Sequence, residues 1–116
     1  MYELTKKEKK RAREIFSISI EREFETALQN SEKIIVKEKN NIATSREIFH
    51  ETRTYLNNFL KHLELRYEDL RSHDYLITLS EILKEGYVKE EELQDFSDEA
   101  KENIKRYISL SNNNHP

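Results

Sequence analysis

The chain has 116 residues, 37% charged and 35% apolar, with a net charge of −3 and a mean hydropathy of −0.94. That length is one domain's worth, and so small a net charge gives no strong field toward nucleic acid. The absence of cysteine excludes disulfides and thiolate metal sites and fits a reducing compartment. Tyr2-Glu3-Leu4-Thr5-Lys6-Lys7 leads into no apolar signal core. No run approaches the roughly 18 apolar residues of a membrane span, so the expectation is a soluble cytoplasmic protein without membrane contact.

Gly86 is the only glycine and Pro116 the only proline, which predicts long helices with one internal stop. Thr5-Lys6-Lys7-Glu8 reads as a capping box that opens the first helix. Ala12, Phe16, Ile20, Phe24 and Leu28 then recur every fourth residue, with Ile15, Ala27, Ile34 and Ile35 widening the stripe. No breaker precedes Asn40-Asn41, so this helix spans roughly 30 residues, about 45–50 Å.

Thr44-Ser45-Arg46-Glu47 is a second capping box. The helix it starts carries Phe49, Leu56, Leu63 and Leu70 at intervals of seven, flanked by Phe59, Leu60 and Tyr67. That heptad-like seam suits packing against another helix, although Thr52 and Arg66 interrupt its second row. Ser72-His73-Asp74 breaks this helix and offers a cap to a third, which bears Leu76, Leu79, Ile82 and Leu83 and stops at Gly86. A short turn over Lys89–Leu93 follows, and Ser97 or Asp95 can cap a last helix with Ala100, Ile104, Tyr107 and Ile108. The expected layout is all-α: a single elongated, antiparallel helical domain over residues 5–110, with two long and shorter C-terminal helices, and a disordered polar tail over 111–116.

A globule of this length has a radius of gyration of about 13 Å and cannot cover a helix approaching 50 Å. The first two helices therefore predict a symmetric homodimer in which they supply most of the interface.

Residues capable of chemistry are sparse. Glu47-Ile48-Phe49-His50 is a Glu-x-x-His, the element of di-iron helical bundles, but no second copy exists and the capping box claims Glu47. One glycine permits neither a phosphate-cradling loop nor a nucleophile elbow. His50, His62, His73 and His115 read as surface residues, with His50 set apart by its place on the interface helix. Lys6, Lys7, Lys9, Lys10, Arg11 and Arg13 form a basic cluster, and Glu90, Glu91, Glu92, Asp95, Asp98, Glu99 and Glu102 an acidic one. Solvated faces are the simpler reading of both; contact with nucleic acid, a bipolar partner, or each other in a dimer is the other. Tyr55, Phe59 and Tyr67 read as ordinary core or as a partner surface. The expectation is a chain without catalytic, cofactor or metal residues. Its partner or dimer surface is expected at Phe49, Tyr55, Leu56, Phe59 and Leu63. A ferritin-like bundle holding a ligand or metal is the alternative.

Ile82-Leu83-Lys84-Glu85-Gly86-Tyr87-Val88-Lys89-Glu90-Glu91-Glu92-Leu93 resembles the Leu-Leu-Lys-Glu-Gly-Leu-Val-x-x-Glu-Glu-Leu segment of the fluorescence recovery protein family of cyanobacteria. Arg66-Tyr67-Glu68-Asp69 is similar to that family's Lys-Tyr-Asp-Asp. Ile15-Phe16 through Glu21-Arg22-Glu23-Phe24 is similar to its Leu-Phe…Gln-Arg-Glu-Leu, and the likeness covers most of residues 5–110. The resemblance implies a small all-helical homodimer, without enzymatic activity or cofactor. Such a dimer binds the photoactivated orange carotenoid protein and speeds its return to the resting form. On the second helix the family carries Trp-x-x-His-Asp-Phe-Leu-x-x-x-Arg. Here His50, Arg53, Thr54, Tyr55, Leu56 and Leu60 stand in those places, so only Leu56 matches and Tyr55 nearly does. Thr54 and Leu60 replace an Asp–Arg pair, whose charge-assisted contact cannot form. The resemblance thus implies a divergent relative whose partner, a carotenoid-binding or another protein, can differ.

Overall fold

The computed structural model describes residues 2–113, and among these the chain is all-helical with no strand. Four helices follow one another: α1 (Lys6–Lys39), α2 (Ser45–Tyr67), α3 (Tyr75–Lys84) and α4 (Asp98–Asn113). Short 3₁₀ turns at Ser72–Asp74 and Glu90–Leu93 precede α3 and α4. Since α4 runs to Asn113, residues 111–113 are helical and do not belong to a tail; 114–116 lie outside the described residues. The chain divides into two compact units, Met1–Ser19 with Asp69–Pro116, and Ile20–Glu68.

The helix ends follow local chemistry. Glu47 N–H donates to Thr44 Oγ1 at 3.2 Å while Glu47 Oε1 accepts from Thr44 N–H at 3.1 Å, which closes the expected box. Ser97 caps α4, its Oγ accepting from Ala100 N–H at 3.1 Å. Asp74 precedes α3 without a side-chain cap bond, so the cap expected from Ser72-His73-Asp74 is not made. Instead the 3₁₀ turn leads directly into the helix.

Two helices stop with the same device. Gly86 sits at φ +85°, with Gly86 N–H donating to Leu83 O at 3.1 Å and Tyr87 N–H to Ile82 O at 2.9 Å. Asn41, at φ +57°, ends α1 likewise: Asn41 N–H reaches Glu38 O at 3.0 Å and Ile42 N–H reaches Lys37 O at 2.9 Å. Both are Schellman closures, which need a left-handed residue after the helix.

The first unit holds the apolar core: Ala12, Ile15 and Phe16 of α1, Tyr75, Leu76, Leu79 and Ile82 of α3, Val88, Leu93 and Phe96 from the connection, and Ala100 and Ile104 of α4. Phe16 meets Tyr75 edge to face, with ring centroids 5.2 Å apart. Arg11 pairs with Asp95 at 3.5 Å and donates to Glu92 O at 3.3 Å, so one of the basic residues finds its acidic partner within the chain.

Glu8 joins the starts of α1 and α4. Its Oε1 accepts from Thr5 N–H at 2.9 Å and Tyr2 Oη–H at 2.6 Å, and its Oε2 accepts from Ser97 N–H at 2.9 Å. Burial opposes ionisation, but the Ser97 and Thr5 amides and the Tyr2 hydroxyl outweigh it and hold the carboxyl at about 2 instead of 4.5. The same carboxylate, accepting from Tyr2, pushes that phenol up.

An unfolded chain takes up a proton at Glu8 near pH 4.5, while the folded chain resists to about 2. Stability from this group is therefore full above pH 4.5 and falls as the pH drops toward 2, by about 3 kcal/mol in all. Urea unfolding of the wild type should show that decline, and Glu8→Gln should be weaker at pH 7 with a flatter acid limb. No atom lies within 4 Å of a side chain added at Gly86, so Gly86→Ala meets only the backbone penalty of positive φ. A loss of about 1 kcal/mol is expected, and a smaller one for Gly86→Asn, in the same unfolding assay.

Candidate functional site

Within Ile20–Glu68, four side-chain contacts step down α1 as they step up α2. Lys37 Nζ donates to Glu51 at 2.8 Å, Asn30 Nδ2 to Tyr55 Oη at 2.9 Å, and the Phe24 and Phe59 rings meet edge to face at 5.2 Å. At the end of α2, His62 Nε2 lies 2.7 Å from Glu23 Oε1.

Helical geometry, about 100° per residue, then assigns the faces. On α2, Thr52, Tyr55, Phe59, His62 and Arg66 fall within about 40° of the buried Ile48. Phe49, Leu56, Leu60, Leu63 and Tyr67 lie about 60–120° round from it. On α1, Ile20, Glu23, Ser31 and Ile34 fall within about 40° of the buried Ala27, and Phe24, Leu28 and Ile35 about 60–100° round. Because the paired residues run in opposite order, equal rotations on the two helices lead to the same side of the pair.

One side of this unit is therefore an apolar face. Phe24 is level with Leu60, Leu28 with Leu56, and Ile35 with Phe49, all six exposed; Leu28 and Phe49 are 67% and 66% exposed. The three levels extend over about 16 Å. They continue into an open depression of about 510 Å³ floored by Ile20, Leu60, Leu63 and Tyr67. An exposed patch of this kind marks an interaction surface more often than plain surface.

The expected stripe of α1 thus differs from the observed one. A four-residue repeat drifts by about 40° each step on a helix of 3.6 residues per turn, so Leu28 stands about 160° round from Ala12. Phe24 and Leu28 leave the buried side, and Glu23, Ala27 and Ser31 take it. The expected interface set also divides. Phe49 and Leu56 are exposed, Leu63 is half-buried beside the depression, and Tyr55 and Phe59 turn toward α1. The seam of α2 does not pack on α1.

The polar side of the unit contains a group that residue patterns did not single out. Glu23 is 1% exposed. Its Oε1 accepts from Arg66 Nη1 at 3.2 Å and faces His62 Nε2, and its Oε2 accepts from the Tyr67 hydroxyl. The Arg66 side chain is itself buried, so carboxylate and guanidinium form a desolvated ion pair. His62, read from sequence as a surface residue, is a structural ligand of this carboxylate. The available signal was Arg66 standing where the seam called for an apolar side chain. His50 is exposed, its ring 5.8 Å from that of Phe49. Glu47 is held by Thr44, whose amide and hydroxyl lower its carboxyl. Among the described residues no group of three or more His, Asp or Glu side chains is placed to hold a metal.

Comparison with protein-family models, curated proteins and solved structures returns no match.

Removing one member of a buried pair strands the other. Arg66→Ala should destabilise by about 3–5 kcal/mol in chemical denaturation, and Glu23→Ala with Arg66→Ala by clearly less than the sum of the single changes.

Proposed function

We propose that this chain is a non-enzymatic, dimeric helical regulator that binds a partner protein. In this reading it is a divergent relative of the fluorescence recovery protein family, with α1 and α2 as an antiparallel hairpin. The observation that carries the reading is the apolar face of Phe24, Leu28, Ile35, Phe49, Leu56 and Leu60. Held as they are on one side of two helices, six large apolar side chains lose water-exposed area only by meeting another surface.

A second copy suits that face. Exposed Glu21, Glu25 and Glu32 border it along α1, and exposed Arg46 and Arg53 border it along α2, with Lys39 and Glu64 the exceptions. A twofold axis parallel to the helices sets each α1 over the partner's α2, with Glu32 level with the opposing Arg53. The alternative axis, across the helices, sets the acidic edges against each other. Complementary edges steer association and register more than they add affinity.

The family resemblance supplies the class of partner, a photoactivated carotenoid protein. His50, Arg53, Thr54 and Leu60 stand where that family's second helix has other residues, so the partner of this chain can differ from the family's.

Light scattering at micromolar concentration should give twice the 14.0 kDa chain mass. Leu56→Glu should weaken the dimer by about 30-fold or more, since it leaves a charge in a central apolar contact. A monomer for the wild type under those conditions would sink the dimer. Recovery of photoactivated orange carotenoid protein, timed with and without the chain, tests the narrow partner. Unchanged kinetics confine the resemblance to fold.

A further inference from the structure

The helix pair of Ile20–Glu68 turns several polar residues inward beside Ala27 and Ile48 and leaves one row of large apolar residues outward. Glu23, Ser31, Thr52, His62 and Arg66 lie on the facing sides, while Phe24, Leu28, Ile35, Phe49, Leu56 and Leu60 are exposed. Thr52 Oγ1 is buried with no hydrogen-bond partner, a cost of this orientation. Rotating each helix by about 80° about its own axis would press the two apolar rows together and turn out Ala27, Ile34, Ile48 and Phe59 in exchange. Two apolar packings are thus open to the pair, and a local contact can choose between them.

Glu23 is placed to do so. Its three partners approach from different angles on α2: His62 at about −40°, Arg66 at about 0° and Tyr67 at about +100° from Ile48. Rotation of α2 in either sense pulls at least one of them off the carboxylate. A carboxylate buried to 1% exposure, facing a buried guanidinium, tolerates no such loss. Polar links elsewhere along the pair, such as Lys37–Glu51, Asn30–Tyr55 and Ser45–Glu38, are more solvated and hold less strongly.

We infer that Glu23 is a positioning residue for the apolar face: through Arg66, His62 and Tyr67 it sets the rotation of α2 so that Phe49, Leu56 and Leu60 remain outward. The inference rests on the reading of that face as an interaction surface. A polar group inside an apolar helix contact is a known means of choosing one register among several.

The chain has no cysteine, so one introduced thiol reports on one position. Ile48→Cys and Phe49→Cys are neighbours on opposite sides of the question, at 4% and 66% exposure in the native side chains. In the otherwise native chain the thiol at 49 should react about tenfold faster than that at 48, because reactivity follows local exposure and opening. In Glu23→Leu with Arg66→Leu, which removes both charges together, the ratio should fall toward one or invert while helical circular dichroism persists. An unchanged ratio overturns the proposal. If that variant unfolds, Glu23→Gln, which keeps the shape, carries the same comparison: a reduced ratio supports the inference and an unchanged one refutes it. The rates are taken at concentrations where light scattering gives a monomer. A falling ratio in a chain that never dimerises supports the positioning role and removes only the dimer. A dimer with an unmoved ratio removes only the positioning role.

Discussion

A carboxylate buried to 1% exposure must be compensated where it lies, and at Glu23 that requirement governs the whole helix pair around it. Arg66, His62 and Tyr67 all belong to the last turns of α2, so the end of that helix is tied to one point on α1. Given that point and the opposite chain order of the contacts, the facing residues follow up the pair: Phe59 against Phe24, Tyr55 at Asn30, Glu51 at Lys37. The outward position of Phe49, Leu56 and Leu60 is the other side of the same geometry.

Glu8, fifteen residues earlier on α1, meets the same requirement by other means. Its oxygens accept from the backbone amides of Thr5 and Ser97 and from the Tyr2 hydroxyl, and the result is a carboxyl held at about 2. Amides at helix starts are donors that would otherwise lack partners, so the first unit satisfies two helix ends with one side chain. Glu23 instead meets charged and aromatic side chains, which specify direction around α2. One glutamate closes helix ends and the other chooses a helix face.

Several features were legible because their causes are local. The Thr44 box, the Ser97 cap and the stop at Gly86 each depend on residues within one turn, and each stands as read. Asn41 as a left-handed stop was readable as a break, although its closure matches that of Gly86 bond for bond. The stripe of α1 departs from its four-residue spacing beyond Ile20 because the helix turns steadily away from that row. The role of His62 is not legible locally, because its partner, Glu23, lies thirty-nine residues away.

The sequence by itself determined how many helices form, where they begin and where they stop, since caps, breakers and propensity act over a few residues. It also determined that α1 and α2 carry more apolar surface than one seam can use. Only the tertiary structure decided which of their faces turns inward. That choice is a balance between two apolar packings, one centred on Ala27 and Ile48 and the other on Phe24, Leu28, Phe49 and Leu56, tipped to the first by a buried ion pair. The balance is struck between residues far apart in the chain, where neither periodicity nor composition can weigh one term against the other.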